Sequence, residues 1–100
     1  MSKHFNDLTP AQAERLAILA EECGEVIQVV GKILRHGYNS VYPVTEEHNT
    51  TRLEQECGDV RAAIIMLCDA GDIVKQCVHD AADRKLVRVK QYMHHDGDPK

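Results

Sequence analysis

Thr9-Pro10-Ala11-Gln12, followed by apolar residues at Leu16, Leu19, Cys23, Val26, Val30 and Ile33, is the stretch whose period decides the fold. Thr9 stands where an N-cap belongs, Gln12 three residues on completes a capping box, and Pro10 suits the first helical position because its missing N–H is not needed there. The apolar residues then repeat at the spacing of one helix face, widened by Ile27 and Leu34. Arg35-His36-Gly37 ends the pattern with cations and a glycine stop. These signals predict one long helix over about 10–36.

Downstream, residues 37–50 hold Gly37, Asn39, Ser40, Pro43 and Asn49 without a helical period, which marks a long loop carrying Tyr38 and Tyr42. Thr51-Arg52-Leu53-Glu54 reads as a second capping box. Leu53, Cys57, Val60, Ile64 and Leu67 follow at helical spacing until Gly71, so a second helix is expected over about 51–70. Asp72 is placed to cap a third helix, about 72–93, with Val74, Cys77, Val78, Ala81, Leu86, Val89 and Met93 on its inner face. The tail 94–100 has no pattern and is expected to fray. The fold class is therefore all-α: an antiparallel bundle of three main helices, its four-helix-like core completed by a short extra helix or by dimerisation.

The chain has 100 residues, enough for a single domain spanning 1–100. Its residues are 43% hydrophobic with no Trp, which favours helix packing through Val, Ile, Leu, Ala and Cys. So small a domain gains from self-association, and a homodimer or homotetramer is expected. A net charge of −4 argues against a nucleic-acid partner. No Cys-x-x-Cys pair occurs, and Cys23, Cys57, Cys68 and Cys77 read as reduced, buried thiols. Without an apolar leader or a run long enough for a membrane span, the expectation is a cytoplasmic protein with no membrane partner.

Thirty-four residues separate two echoing segments, Glu22-Cys23-Gly24-Glu25-Val26 and Glu56-Cys57-Gly58-Asp59-Val60. In each, two acids at i and i+3 share a helix face, where like charges repel. Glu22 and Glu25 continue the row of Ile18 and Val29, and Glu56 and Asp59 that of Ala63 and Met66, so all four flank the apolar stripes. Carboxylates partly withdrawn from water are costly unless paired or bound to a cation. A plainer reading makes Glu21, Glu22, Glu25, Glu54, Glu56 and Asp59 solvated faces of two acidic helices, but row placement and repetition count against it. Gly24 and Gly58 are expected to let the helices approach closely beside the acids. All-oxygen ligation suits a hard cation, Mg²⁺ with Mn²⁺ as a substitute. The chain lacks His-Glu-x-x-His, the Glu-x-x-His of di-iron bundles, and a P-loop.

The two pairs, in order on successive helices, resemble the signature of the MazG-like all-α nucleoside triphosphate pyrophosphohydrolases, Glu-x-x-Glu followed by Glu-x-x-Asp. The resemblance extends over about residues 12–92. It implies a metal site of Glu22, Glu25, Glu56 and Asp59, and Mg²⁺-dependent cleavage of the α–β phosphoanhydride of a (d)NTP to a nucleoside monophosphate and pyrophosphate. An alternative substrate within enzymes is another nucleotide such as a phosphoribosyl-ATP; an alternative of another class is a non-catalytic helical oligomer or a nucleotide- or cation-binding regulator.

Beside the site, Glu21 is the candidate for orienting or deprotonating the attacking water, with Glu22 and Glu56 as its catalytic companions. Lys32, Lys85 and Arg88 are phosphate-binding candidates, Lys85 because it occupies an otherwise apolar row of the third helix. Complementing the helix C-terminal dipole accounts equally well for Arg88. Tyr38 and Tyr42 are candidates to stack on a base, though loop aromatics also serve surfaces and dimer contacts. Family members often carry Asn a few residues after the third-helix Lys. Here Val89 takes that place.

Overall fold

In a computed structural model, residues 5–41 and 43–100 are described; Tyr42, one of the two loop tyrosines, lies outside them. Helix α1 runs Pro10–His36, α2 Asn49–Asp69 and α3 Lys75–Arg88, with a 3₁₀ turn at Val89–Tyr92. No strand forms among the described residues; a single antiparallel bridge, Val41 with His48, closes the loop between α1 and α2. The fold is all-α, as the sequence indicates.

The start of α1 follows its local signals closely. Thr9 Oγ1 accepts from the Gln12 amide at 3.1 Å, and Gln12 Oε1 accepts from the Thr9 amide at 2.9 Å. At the other end Gly37 adopts φ 85°, a left-handed conformation natural to glycine, and its N–H reaches Ile33 O at 2.7 Å.

Helices α1 and α2 pack together, and two sets of bonds fix them antiparallel. At the loop end, Asn49 Nδ2 donates to Gly37 O at 3.1 Å, and the Asn49 and Thr50 amides donate to Ser40 O and Tyr38 O. At the far end, Arg15 near the start of α1 makes two bonds to Asp72, just beyond α2, at 2.6 and 3.0 Å. Val29, Ala63, Leu67 and the side chain of Asn49 are buried between these ends.

Several local readings yield to this tertiary arrangement. Thr51 does not cap α2, which starts at Asn49; its N-cap, His48, makes no side-chain bond to the helix amides, and its Nδ1 lies 3.0 Å from Asn39 O instead. The loop carbonyls of Ser40 and Tyr38 satisfy the first amides instead. Asp72 does not cap α3 either, because Arg15 takes both of its oxygens; α3 begins at Lys75 after Val74. Gly24 and Gly58 do not mark a close helix approach, since a Cβ on either would meet nothing within 4 Å.

Helix α3 packs against neither α1 nor α2 beyond a marginal touch and buries no residue. Of its expected inner face, Val78 and Val89 are half-buried, while Val74, Cys77, Ala81, Leu86 and Met93 are exposed. The extents of 52 × 38 × 21 Å and radius of gyration of 17.3 Å express this departure from the roughly 13 Å of a compact chain of this length. A two-helix hairpin is too narrow to bury three apolar faces. Leu16, Ile27, Val30 and Leu34 consequently form an exposed stripe along α1. Cys23, Cys57 and Cys77, expected inside, are exposed free thiols, and Cys68 is half-buried.

Candidate metal centre

Glu22 projects from the middle of α1, and Glu56 and Asp59 from one face of α2. The crossing of the two helices brings them together, so that one carboxylate oxygen from each lies within 4.8 Å of the others. Glu22 and Glu56 are half-buried and Asp59 is exposed, which sets the cluster at the rim of the core. Ala63, one turn beyond Asp59, and Val29, two turns beyond Glu22, are buried on the same helix faces as these acids.

Electrostatics reports the cost of this convergence. Glu22 has its pKa raised, first by desolvation and then by the negative charges of Asp59, Glu21, Glu56 and Glu25. Its carboxylate is therefore short of positive partners. Arg52 borders the cluster, its Nη2 3.9 Å from Glu56 Oε1 one turn back along α2. Arg52 plays no part in the sequence reading beyond its place in the supposed capping box. Its spacing of four from Glu56 is the signal that identifies it.

The expected ligands are not all equivalent. Glu25 is half-buried on the same face of α1, and its charge reaches Glu22, yet it is not among the three converging carboxylates. Glu21 is exposed beside Glu22. Lys32 is half-buried on α1, lining a crevice near the loop. Lys85 and Arg88 are exposed on α3 and are not brought to the acids by helix packing. Tyr38 is exposed, its carbonyl engaged by Thr50.

Three converging carboxylate oxygens with a strained charge balance suit a hard divalent cation and offer no soft ligand. No helix among the described residues is long and apolar enough to cross a membrane. Comparison with family models, curated proteins and solved structures finds no match to this chain.

Proposed function

We propose that the protein is a Mg²⁺-dependent nucleotide pyrophosphohydrolase that splits the α–β phosphoanhydride of a (d)NTP into a nucleoside monophosphate and pyrophosphate. The observation that carries this reading is the convergence of Glu22, Glu56 and Asp59 from two helices whose sequence echoes itself around those acids. Glu22, Glu56 and Asp59 would hold the ion, and Glu25, on the same face of α1 but outside the converging three, is the fourth ligand of this reading. Bound there, Mg²⁺ would neutralise phosphate oxygens and acidify a water molecule.

The chain's own residues supply the rest of the chemistry. Attack of water on the α-phosphorus forms one P–O bond and breaks another, the pyrophosphate leaving with the bridging oxygen. Exposed Glu21, beside Glu22, is the group assigned to orient that water and accept its proton. Arg52, its Nη2 3.9 Å from Glu56 Oε1, offsets part of that carboxylate's charge. Lys32, Lys85 and Arg88 are assigned to phosphate, and Tyr38 and Tyr42 to the base. Those on α3 and the loop require the helix or a second copy to approach the acids.

A homo-oligomer belongs to the same reading. The stripe of Leu16, Ile27, Val30 and Leu34, with exposed Leu86 and Val87 on α3, is apolar surface that association would cover. A second hairpin laid on it would complete a four-helix bundle. Light scattering on the purified chain should give a mass above that of one chain, and Ile27→Glu should return it to one; a monomeric wild type rejects the assembly.

The direct test is a nucleotide panel with product identification. Pyrophosphate together with a nucleoside monophosphate is expected in Mg²⁺ or Mn²⁺, and Glu56→Gln should reduce release to background. Orthophosphate as the first product, or no turnover with either ion, would refute the assignment. Calorimetric binding without turnover would favour a nucleotide sensor instead.

A further inference from the structure

A crevice of about 350 Å³ lies between α2 and α3. Ile64, Ile65 and Cys68 of α2 and Val78 of α3 form its apolar lining. Val78 is the one residue of α3 that is not exposed, and Ile64 and Cys68 are half-buried, so the third helix meets the hairpin here without closing on it. Apolar surface that is shielded but left unfilled forgoes the contacts that close packing supplies. The volume falls within the usual range for small-ligand sites, roughly 300–1,000 Å³.

The polar lining gives the crevice a sign. Arg61, Lys75 and His79 stand against a single carboxylate, Asp69, in a chain whose net charge is −4. Asp69 ends α2 and Lys75 begins α3, so both stand at the turn between the helices and their charges offset one another. Arg61 is eight residues back along α2, about 12 Å at the helical rise. Its neighbours at three and four residues are Cys57, Gly58, Ile64 and Ile65, none of them acidic, and among the described residues it makes no ion pair. Solvation at the surface would account for Arg61 by itself. It does not account for an unpaired guanidinium lining an apolar crevice, where a planar fork suited to a carboxylate adjoins a surface suited to hydrocarbon.

We propose that this crevice binds a small organic anion, one carboxylate on an apolar body, with the carboxylate at Arg61 and the body against Ile65, Cys68 and Val78. His79 adds a hydrogen-bonding group to the same wall. The site is separate from the acid centre: Arg61 follows Asp59 by two residues, about 200° around α2, which turns it away from the acids. None of the lining residues has a role in the proposed hydrolysis, and a ligand bound here braces α3 against α2.

Octanoate can be titrated into the ¹⁵N-labelled full chain in EDTA, with octanol and acetate standing for the body and the head alone. Saturable shifts of the Ile65, Cys68 and Val78 amides are expected with octanoate, at an affinity at least about tenfold above that of octanol, the margin of a charge-assisted hydrogen bond. Acetate should give no saturable shift. Arg61→Gln should bring octanoate down to the affinity of octanol. Ile65→Glu, at an exposed position, should abolish binding by adding a second carboxylate to the crevice, and it serves as another variant should Arg61→Gln fail to fold. Bound octanoate should also slow alkylation of Cys68 while leaving the exposed Cys23 and Cys57 unprotected. Glu56→Gln should bind octanoate as the wild type does, so the pyrophosphohydrolase reading can fail and leave this site standing. Absence of saturable shifts, equal affinity for octanol and octanoate, or wild-type affinity in folded Arg61→Gln would overturn the proposal. So would protection of Cys68 by raised protein concentration alone, which assigns the crevice to a second copy.

Discussion

Glu22 and Asp72 are both acids beside the α1–α2 hairpin, and their environments push them in opposite directions. Asp72 has its pKa lowered by the two hydrogen bonds from Arg15, against the opposing effect of burial. Glu22 has its pKa raised by burial and by four neighbouring acids. One charge is satisfied and fastens the ends of two helices; the other is left wanting in the middle of the molecule. In the proposed function that deficit is what a bound cation would offset, so the contrast sets a structural acid beside a candidate functional one.

Leu67 offers the harshest way to break the comparison, because its carbonyl accepts from the Asp72 amide and its side chain is in the buried core. Leu67→Ala should cost about 2–5 kcal/mol in chemical denaturation, disturbing both regions at once. Next in size, Arg15→Ala leaves Asp72 charged and poorly compensated, and its melting temperature should fall clearly below wild type at neutral pH. The wild-type advantage exists above the ordinary aspartate range and should vanish as pH falls through the lowered pKa of Asp72. A difference between Arg15→Ala and wild type that persists unchanged in strong acid would show that the pair is not its source.

Glu22 should give the opposite sign and a smaller effect. With its folded pKa raised, ionised Glu22 penalises the fold at neutral pH, and protonation relieves that penalty as pH falls through the raised value. Metal-free Glu22→Gln should therefore melt slightly above metal-free wild type at pH 7. Adding Mg²⁺ should raise the wild-type melting temperature and leave Glu22→Gln nearly unmoved. Equal responses of the two proteins to Mg²⁺ would remove Glu22 from the metal centre.

Much of the hairpin was legible because its signals are local. Thr9, Gln12 and Pro10 start α1 where the capping rules put it, and Gly37 ends it. The i, i+3 acids were legible for the same reason, since helical spacing alone puts them on one face. Where the reading failed, a distant residue had intervened. Arg15 claimed Asp72 from 57 positions away, and loop carbonyls replaced the Thr51 cap. Cys23 and Cys57 looked buried because periodicity shows which face is apolar without showing whether anything covers it.

The sequence by itself determined the helical class, the start and stop of α1, and the pairing of carboxylates within each helix. All of these follow from about 100° of rotation per residue and from bonds within one turn. Tertiary structure alone decided that Glu22 meets Glu56 and Asp59 while Glu25 stands just outside, and that Arg52 borders the cluster. It also set α3 apart from the hairpin and left a crevice between α2 and α3. Those outcomes depend on how one helix is rotated against another, a quantity fixed by the few side chains at the contact and by the bonds that close its two ends.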